Sequence, residues 1–314
     1  MQVIPNSNQG MPKPANIGEF LQIRMARGQI SSTSLIFTLF CDALTQHGGE
    51  VWLGSLIHAL GPLGLSERLV RTAVFRLQQD GWLESRKIGR CSYYRPTATG
   101  NNLYAKAARR IYATGKPGWD GTWTLVIPAL VAEEKKDLLR KSLFWQGFRL
   151  LSAGVYALPS SNRRSLNETL QEMNISDNVI VLSAREDEPA TNGYLQSLVL
   201  ERWNLDGLEQ LYEDFVQNYR PALKMVQNKR LPDGQQCFLL RTLLIHEYRR
   251  ILLRDPELPA PMLPANWTGF TAQSLTARIY QRIAKDSAHW LSSEMKNAKG
   301  KLPAASAEFF VRYT

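Results

Sequence analysis

Apolar positions in this chain recur at two different periods, and the changes of period divide it into segments. Between Leu65 and Leu77, Leu69, Val70, Ala73, Val74 and Leu77 fall on one side of a helix of 3.6 residues per turn, which leaves Arg68, Arg71, Thr72 and Arg76 on or beside the opposite side. Ser66 is placed to cap that helix and Gly81 to end it. Residues 85–94 then alternate around Gly89, which predicts two short antiparallel strands carrying Arg86, Lys87 and Arg90. Upstream, Ser34 to Gln46 (Leu35, Ile36, Leu39, Phe40, Ala43, Leu44) predicts an amphipathic helix ending in Gly48-Gly49, and Trp52 to Leu60 predicts a second ending near Gly61-Pro62. Three helices followed by a basic hairpin are the order a winged helix-turn-helix requires.

From Trp119 the texture changes. Trp123 to Leu130 reads as a strand, Glu133 to Leu143 as a helix, Gly154 to Leu158 as a strand, Arg163 to Met173 as a helix and Asn178 to Ser183 as a strand. That alternation predicts a small ferredoxin-like α/β domain. From about Tyr194 to Lys296 the pattern is helical, with breaks expected at Arg220-Pro221, Leu231-Pro232-Asp233-Gly234 and Asp255-Pro256-Glu257-Leu258-Pro259. Residues 1–16, rich in Pro, Asn and Gln, predict a flexible arm, and Ile17 to Ala26 a short helix after it. Thr99 to Gly115 (Leu103, Ala107, Ile111 with Lys106, Arg109, Arg110) predicts a basic connector helix, and Lys116-Pro117-Gly118 a boundary. The expected architecture is therefore α+β: a flexible segment over 1–30, a winged helix-turn-helix with its connector over 31–115, a ferredoxin-like central domain over 116–190 and a C-terminal α-helical domain over 191–314. A length of 314 residues agrees with two or three domains of roughly 100–200 residues each.

Charge sharpens this picture. Lysine and arginine number 38 against 28 aspartates and glutamates, a formal net charge of +10, which favours a polyanionic partner and agrees with the basic helix and hairpin. Cys41, Cys91 and Cys237 are odd in number and lack CxxC spacing, so neither a disulfide framework nor a thiolate metal site is expected, and a reducing, cytoplasmic setting is. No apolar run reaches the roughly 18–20 residues that span a bilayer, and Pro5, Asn6, Ser7, Asn8, Gln9 and Gly10 interrupt any N-terminal signal core. No GxSxG elbow, P-loop, GxGxxG fingerprint or HExxH helix is present, and His47, His58, His246 and His289 lack metal-ligand spacing. Neither catalytic residues nor a metal nor a cofactor is expected.

Arg68, Arg71, Thr72 and Arg76 are the candidates for major-groove contact, since a guanidinium fork suits guanine edges and phosphates alike. Arg86, Lys87 and Arg90 are candidates for phosphate or minor-groove contact that positions without reading much sequence. The bland alternative for both sets is a solvated surface. Phe75, on the otherwise polar face, either meets a thymine methyl or packs against a neighbouring helix or the wing. The helix from Phe238 to Arg254 is apolar nearly all the way round, so the charges of His246, Arg249 and Arg250 need partners. An internal salt bridge, for instance with Glu247 or Asp255, is one reading, and contact with a charged ligand is the other. Trp145, Phe148, Trp203, Tyr248, Trp267 and Tyr280 either line a pocket for an aromatic group or are plain core.

Five segments go beyond pattern: Gly48-Gly49-Glu50-Val51-Trp52-Leu53-Gly54-Ser55-Leu56, Arg68-Leu69-Val70-Arg71-Thr72-Ala73-Val74-Phe75-Arg76-Leu77, Trp119-Asp120-Gly121-Thr122-Trp123, Phe144-Trp145-Gln146-Gly147-Phe148 and His246-Glu247-Tyr248-Arg249-Arg250. In this order they resemble the phenylacetic acid degradation repressor family, PaaX, from about Ser34 to Ala284. The resemblance implies a cytoplasmic transcriptional repressor of an aromatic-catabolic operon, bound to double-stranded operator DNA and released by an aromatic acyl-coenzyme A such as phenylacetyl-CoA. Because a lone winged helix reads too few base pairs to pick its site from a genome, a homodimer on a two-fold operator is expected. The resemblance also implies a central domain similar to the ferredoxin-like CRISPR-associated nuclease fold, whose nucleases hold a metal with an Asp at the end of the first strand. Trp123 to Leu130 carries no acid, so the fold is expected without that chemistry. Trp145, Arg149, His246, Tyr248, Arg249 and Arg250 are the residues expected to face the effector, between the central and C-terminal segments. A competing reading is an acyl-CoA-binding protein or enzyme in which the basic N-terminal unit is only a docking module.

Overall fold

Ser31 sets the start of the first core helix. Its hydroxyl accepts a hydrogen bond from the Ser34 amide, satisfying one of the donors a helix start leaves open, so the helix expected from Ser34 begins at Ser32. The structure is a computed structural model that describes residues 14–27, 30–113, 115, 119–185, 192–228 and 232–313. The arm up to residue 13, the Lys116-Pro117-Gly118 boundary and Leu231 of the expected break lie outside them. A helix α1 (Ile17–Arg27) precedes α2 (Ser32–Asp42), and α2 tightens into a 3-10 turn over Leu44–His47 rather than continuing to Gln46. Trp52 is not helical as expected: it pairs with Tyr93 in a two-residue strand β1 (Val51–Trp52), and α3 (Leu53–Leu60) starts after it.

The basic helix α4 (Glu67–Gln79) is capped by Ser66, whose Oγ accepts from the Leu69 amide at 3.4 Å. It is closed by Gly81 at φ +70°, which lets the Trp82 amide donate back to the Leu77 carbonyl at 2.9 Å. The hairpin follows as β2 (Leu83–Ile88) and β3 (Cys91–Pro96), turning at Gly89-Arg90, and β1 completes an antiparallel sheet of order β1-β3-β2. The connector is α5 (Ala98–Ile111), capped by Thr97.

The expected strand-helix alternation from Trp119 gains one element. β4 (Trp123–Ile127) and α6 (Glu133–Trp145) are followed by β5 (Arg149–Ser152), which the pattern did not predict, then β6 (Val155–Leu158), α7 (Arg164–Glu172) and β7 (Ile180–Ala184). The sheet order β5-β6-β4-β7, with every pair antiparallel, is the ferredoxin-like arrangement. Val126, Leu139, Leu143, Phe148, Leu166 and Leu170 form its core.

The remaining helices are α8 (Asn192–Arg202), α9 (Leu205–Val226), α10 (Gly234–Leu252) and α11 (Thr268–Glu294). The break expected at Arg220-Pro221 does not occur, and Pro221 lies inside α9. Burial of Tyr219, Ala222 and Val226 around it offsets the missing backbone bond, which costs about 3 kcal/mol in an exposed helix. The helical pattern ends in a small hairpin, β8 (Lys296–Asn297) and β9 (Gly300–Lys301), before a last turn α12 (Ala307–Phe310). The segments sort into two compact units, one built from residues 1–114, 214–252 and 270–314, the other from 115–213 and 253–269. The first unit thus folds its N-terminal helices together with α10 and α11, and α2 packs on both α4 and α10.

Candidate nucleic-acid interface

Four apolar side chains decide which way α4 faces. Val70, Ala73, Val74 and Leu77 are buried, and α4 packs on α2 and α3, which turns Arg68, Arg71, Thr72, Phe75 and Arg76 to the surface. Leu69 does not join the buried stripe as expected: it lies at the stripe's margin in the first turn and is 47% exposed. Phe75 is 59% exposed in the middle of the arginines, so it is not packed away against a neighbour. Arg71 Nε donates to Glu67 Oε1 at 2.8 Å, one turn back. Both groups are open to solvent, so the pair is worth little and exchanges readily for another anion. Arg68 and Arg76 form no ion pair among the described residues.

The hairpin is tied to this helix and internally braced. Gln78 Nε2 donates to Ser85 Oγ at 3.2 Å, and Arg95 Nε to Glu84 Oε1 at 2.7 Å across the strands. Of the three expected wing cations, Arg86 is engaged: its guanidinium forks onto Glu50, Nε to Oε2 at 2.6 Å and Nη2 to Oε1 at 2.8 Å. That contact holds the Glu50 carboxyl below, and the Arg86 guanidinium above, their ordinary values. Lys87 and Arg90 remain exposed, with Arg90 in the turn that Gly89 makes at φ +58°.

The six residues expected to face an effector are divided between the two units. Trp145 and Arg149 belong to the second unit, and His246, Tyr248, Arg249 and Arg250 to the first. Trp145, at the end of α6, is 82% exposed, while the Arg149 guanidinium lies over the Phe144 ring at 3.9 Å and donates to the Phe144 and Phe148 carbonyls. Phe148, Trp203, Tyr248, Trp267 and Tyr280 are core residues. His246 is enclosed, its Nδ1 at 3.3 Å from Thr38 Oγ1, and burial together with Arg250 and Arg249 pushes its pKa down to about 3. The salt bridge expected for these charges with Glu247 is not made, because Glu247 pairs with Arg24 of α1. Arg249 instead meets hydroxyls, Thr38 Oγ1 at 3.3 Å and Ser34 Oγ at 3.5 Å, with its guanidinium 5.0 Å from the centre of the Phe37 ring. Arg250 is exposed.

The buried charge that matters most was not anticipated. Asp42, at the end of α2, accepts from Arg241 Nε at 2.7 Å and Arg312 Nη1 at 3.1 Å, and also from the Tyr112 and Tyr280 hydroxyls. The Asp42 carbonyl oxygen accepts from both guanidiniums as well. The carboxyl is fully buried, yet Arg241 and Arg312 hold it in its charged form, below the usual carboxylate range. The signal was present in the sequence as an arginine inside the apolar run Phe238-Leu239-Leu240-Arg241-Thr242-Leu243-Leu244, a position where a charge is stable only with a partner. Among the described residues, no group of three or more His, Cys, Asp or Glu is placed to hold a metal ion, and no helix is long and apolar enough to cross a membrane.

Comparison with known proteins follows the same segments. The sequence matches the PaaX-like protein family over residues 31–100, the PaaX protein central Cas2-like domain over 116–195 and the PaaX-like protein C-terminal domain over 203–293. The transcriptional repressor PaaX of Escherichia coli (strain K12) is 37% identical over 302 residues, which cover 95% of each chain. An uncharacterized protein from Mycobacterium tuberculosis has a similar fold, with a TM-score of 0.50 and 22% identity over 74% of this chain and 88% of that one. At that identity the likeness concerns the fold alone.

Proposed function

The chain belongs to the PaaX-like family, and from that premise we propose that it is a transcriptional repressor that grips operator DNA with α4 and the β2–β3 hairpin. The observation that carries this reading is the packing of α4: one face is fixed in the core, and the other presents Arg68, Arg71, Thr72 and Arg76 without a buried partner. We read residues 31–100 as a winged helix-turn-helix, which the order of α2, α3, α4, β2 and β3 and the sheet β1-β3-β2 support.

In this reading α4 enters the major groove, where each guanidinium is able to take both acceptors of a guanine edge. The exposed Phe75 ring is then placed to meet a thymine methyl. Lys87 and Arg90 take phosphates beside the groove, and the Glu50 fork keeps Arg86 in a fixed position on the wing strand. One such domain contacts too few base pairs to select a site from a genome, so the repressor works as a homodimer on a two-fold operator.

The regulated genes serve aromatic catabolism, the protein acts in the cytoplasm without catalysis, and an aromatic acyl-CoA such as phenylacetyl-CoA is the releasing signal. Arg249, a half-buried cation answered by hydroxyls in place of a carboxylate, supports an anionic ligand for α10. His246 and Tyr248, enclosed in the core, act in this reading by holding α10 in place.

The test is retardation of the promoter fragment upstream of the chain's own gene, against unrelated duplex of equal length, over a series of salt concentrations. Selective binding that weakens steeply with salt, and is relieved by phenylacetyl-CoA but not by phenylacetate, is the expected result. Equal affinity for both fragments, or turnover of the acyl-CoA without DNA binding, would overturn it.

A further inference from the structure

Positive charge on the first unit does not end with α4 and the wing. From Met295 to Lys301 the chain turns tightly back on itself: β8 pairs with β9, the Leu302 amide donates to the Met295 carbonyl at 3.0 Å, and the Lys299 amide to Asn297 Oδ1 at 2.8 Å. Lys296, Lys299 and Lys301 all lie in this small hairpin, with no acid between Glu294 and Glu308. All three are exposed and form no ion pair among the described residues.

The hairpin is anchored at two points, both on the segment that carries α4 and the wing. The Lys296 amide donates to Ser55 Oγ in the first turn of α3 at 3.0 Å. The Ala298 amide donates to Glu50 Oε1 at 3.3 Å, the oxygen that also accepts from Arg86 Nη2. Glu50 therefore joins three pieces of chain, β1, the wing strand and the C-terminal hairpin, and β8 lies along β1. Three like charges held together on an ordered turn repel one another, and that repulsion is relieved when a polyanion is bound. The first helix of a helix-turn-helix crosses the nucleic-acid backbone, so the start of α3 is where a phosphate strand passes.

We propose that Lys296, Lys299 and Lys301 form a phosphate clamp on the backbone of duplex DNA beside the α4 contact. It rests on the repressor reading and adds to it a contact from the far C-terminal end of the chain, one that raises affinity for any sequence and leaves base preference to α4. The full-length triple variant Lys296→Ala/Lys299→Ala/Lys301→Ala is compared with the wild type and with the triple arginine replacement, on operator and on unrelated duplex, across a salt series. Removing one lysine–phosphate pair lowers the slope of log K against log salt by about 0.9, so a drop of about 1–3 is expected, with a tenfold or greater loss of affinity at low salt. The loss falls equally on both duplexes, the arginine variant restores it, and the thermal midpoint of the free protein stays that of the wild type. A salt slope equal to that of the wild type overturns the clamp, as does a loss confined to the operator. Normal DNA binding with an abolished acyl-CoA response would assign the lysines to the effector's phosphates and overturn it too. A wild type that fails to prefer the operator would instead sink the repressor reading, and the clamp with it.

Discussion

At Asp42, one buried carboxylate is placed between two buried guanidiniums, so its removal is costly in a way a surface pair is not. Asp42→Ala would leave Arg241 and Arg312 buried without their counter-charge, and a loss of about 3–5 kcal/mol is expected in the denaturant unfolding of the DNA-free protein. A cost under about 1 kcal/mol would show that the arginines find other partners. Histidine gives the pH dependence. His246 titrates at about 3 in the folded chain, against an ordinary value of 6.5, because burial and then Arg250 and Arg249 disfavour its charged form. Between those values the unfolded chain holds a proton the folded chain lacks, so the stability this group contributes is complete above pH 6.5 and falls as the pH drops toward 3. His47 is shifted in the same direction by burial, and Asp42 adds its own loss lower still, as the pH falls through its depressed value. The thermal midpoint should therefore fall from about pH 7 to about pH 4, and His246→Asn should flatten that fall; a wild-type profile level over this range would contradict the placement of His246.

Among the elements, α4 was the most legible in the sequence, because an apolar stripe, a serine cap and a closing glycine all point to the same helix. Only its margin misled, since Leu69 lies where a stripe meets solvent and apolar periodicity does not resolve the edge. β5 escaped because the four residues Arg149-Leu150-Leu151-Ser152 neither alternate nor carry β-branched side chains. The β8–β9 hairpin escaped because it has no apolar pattern, and its position beside β1 comes from hydrogen bonds to Ser55 and Glu50, which lie 241 and 248 residues away in sequence. The wing turn is a direct test of element geometry. Gly89 adopts φ +58°, where a β-branched side chain is strained, so Gly89→Val should cost about 1–2 kcal/mol of stability and weaken DNA binding without altering which bases are preferred. Unchanged stability would mean that the turn relaxes to another conformation.

For the whole molecule, the order of helices and strands was readable, whereas the joining of residues 214–252 and 270–314 to the N-terminal segment in one unit was not. The exposed arginines of α4 follow from periodicity alone, whereas the partners of α10 depend on which distant helix packs on it: α1 supplies Arg24 to Glu247, and α2 supplies Thr38 to His246 and Asp42 to Arg241. No local pattern fixes such pairings. On the proposed reading, each protomer contacts only a short half-site, so a dimer is expected, with half-sites whose centres lie about 34 Å or a multiple of that apart. Sedimentation should show a dimer on the operator fragment, and a lone protomer bound there would contradict it. The central claim is that α4 reads bases, and the most direct measurement is selection of binding sites from a randomised duplex pool by the wild type and by Arg68→Ala and Arg71→Ala variants. The account predicts a two-fold symmetric site in the wild type. In each variant it predicts relaxed preference at one position per half-site, a loss of about 1–3 kcal/mol on the wild-type sequence and an unchanged thermal midpoint. Identical site preferences in all three proteins would contradict it.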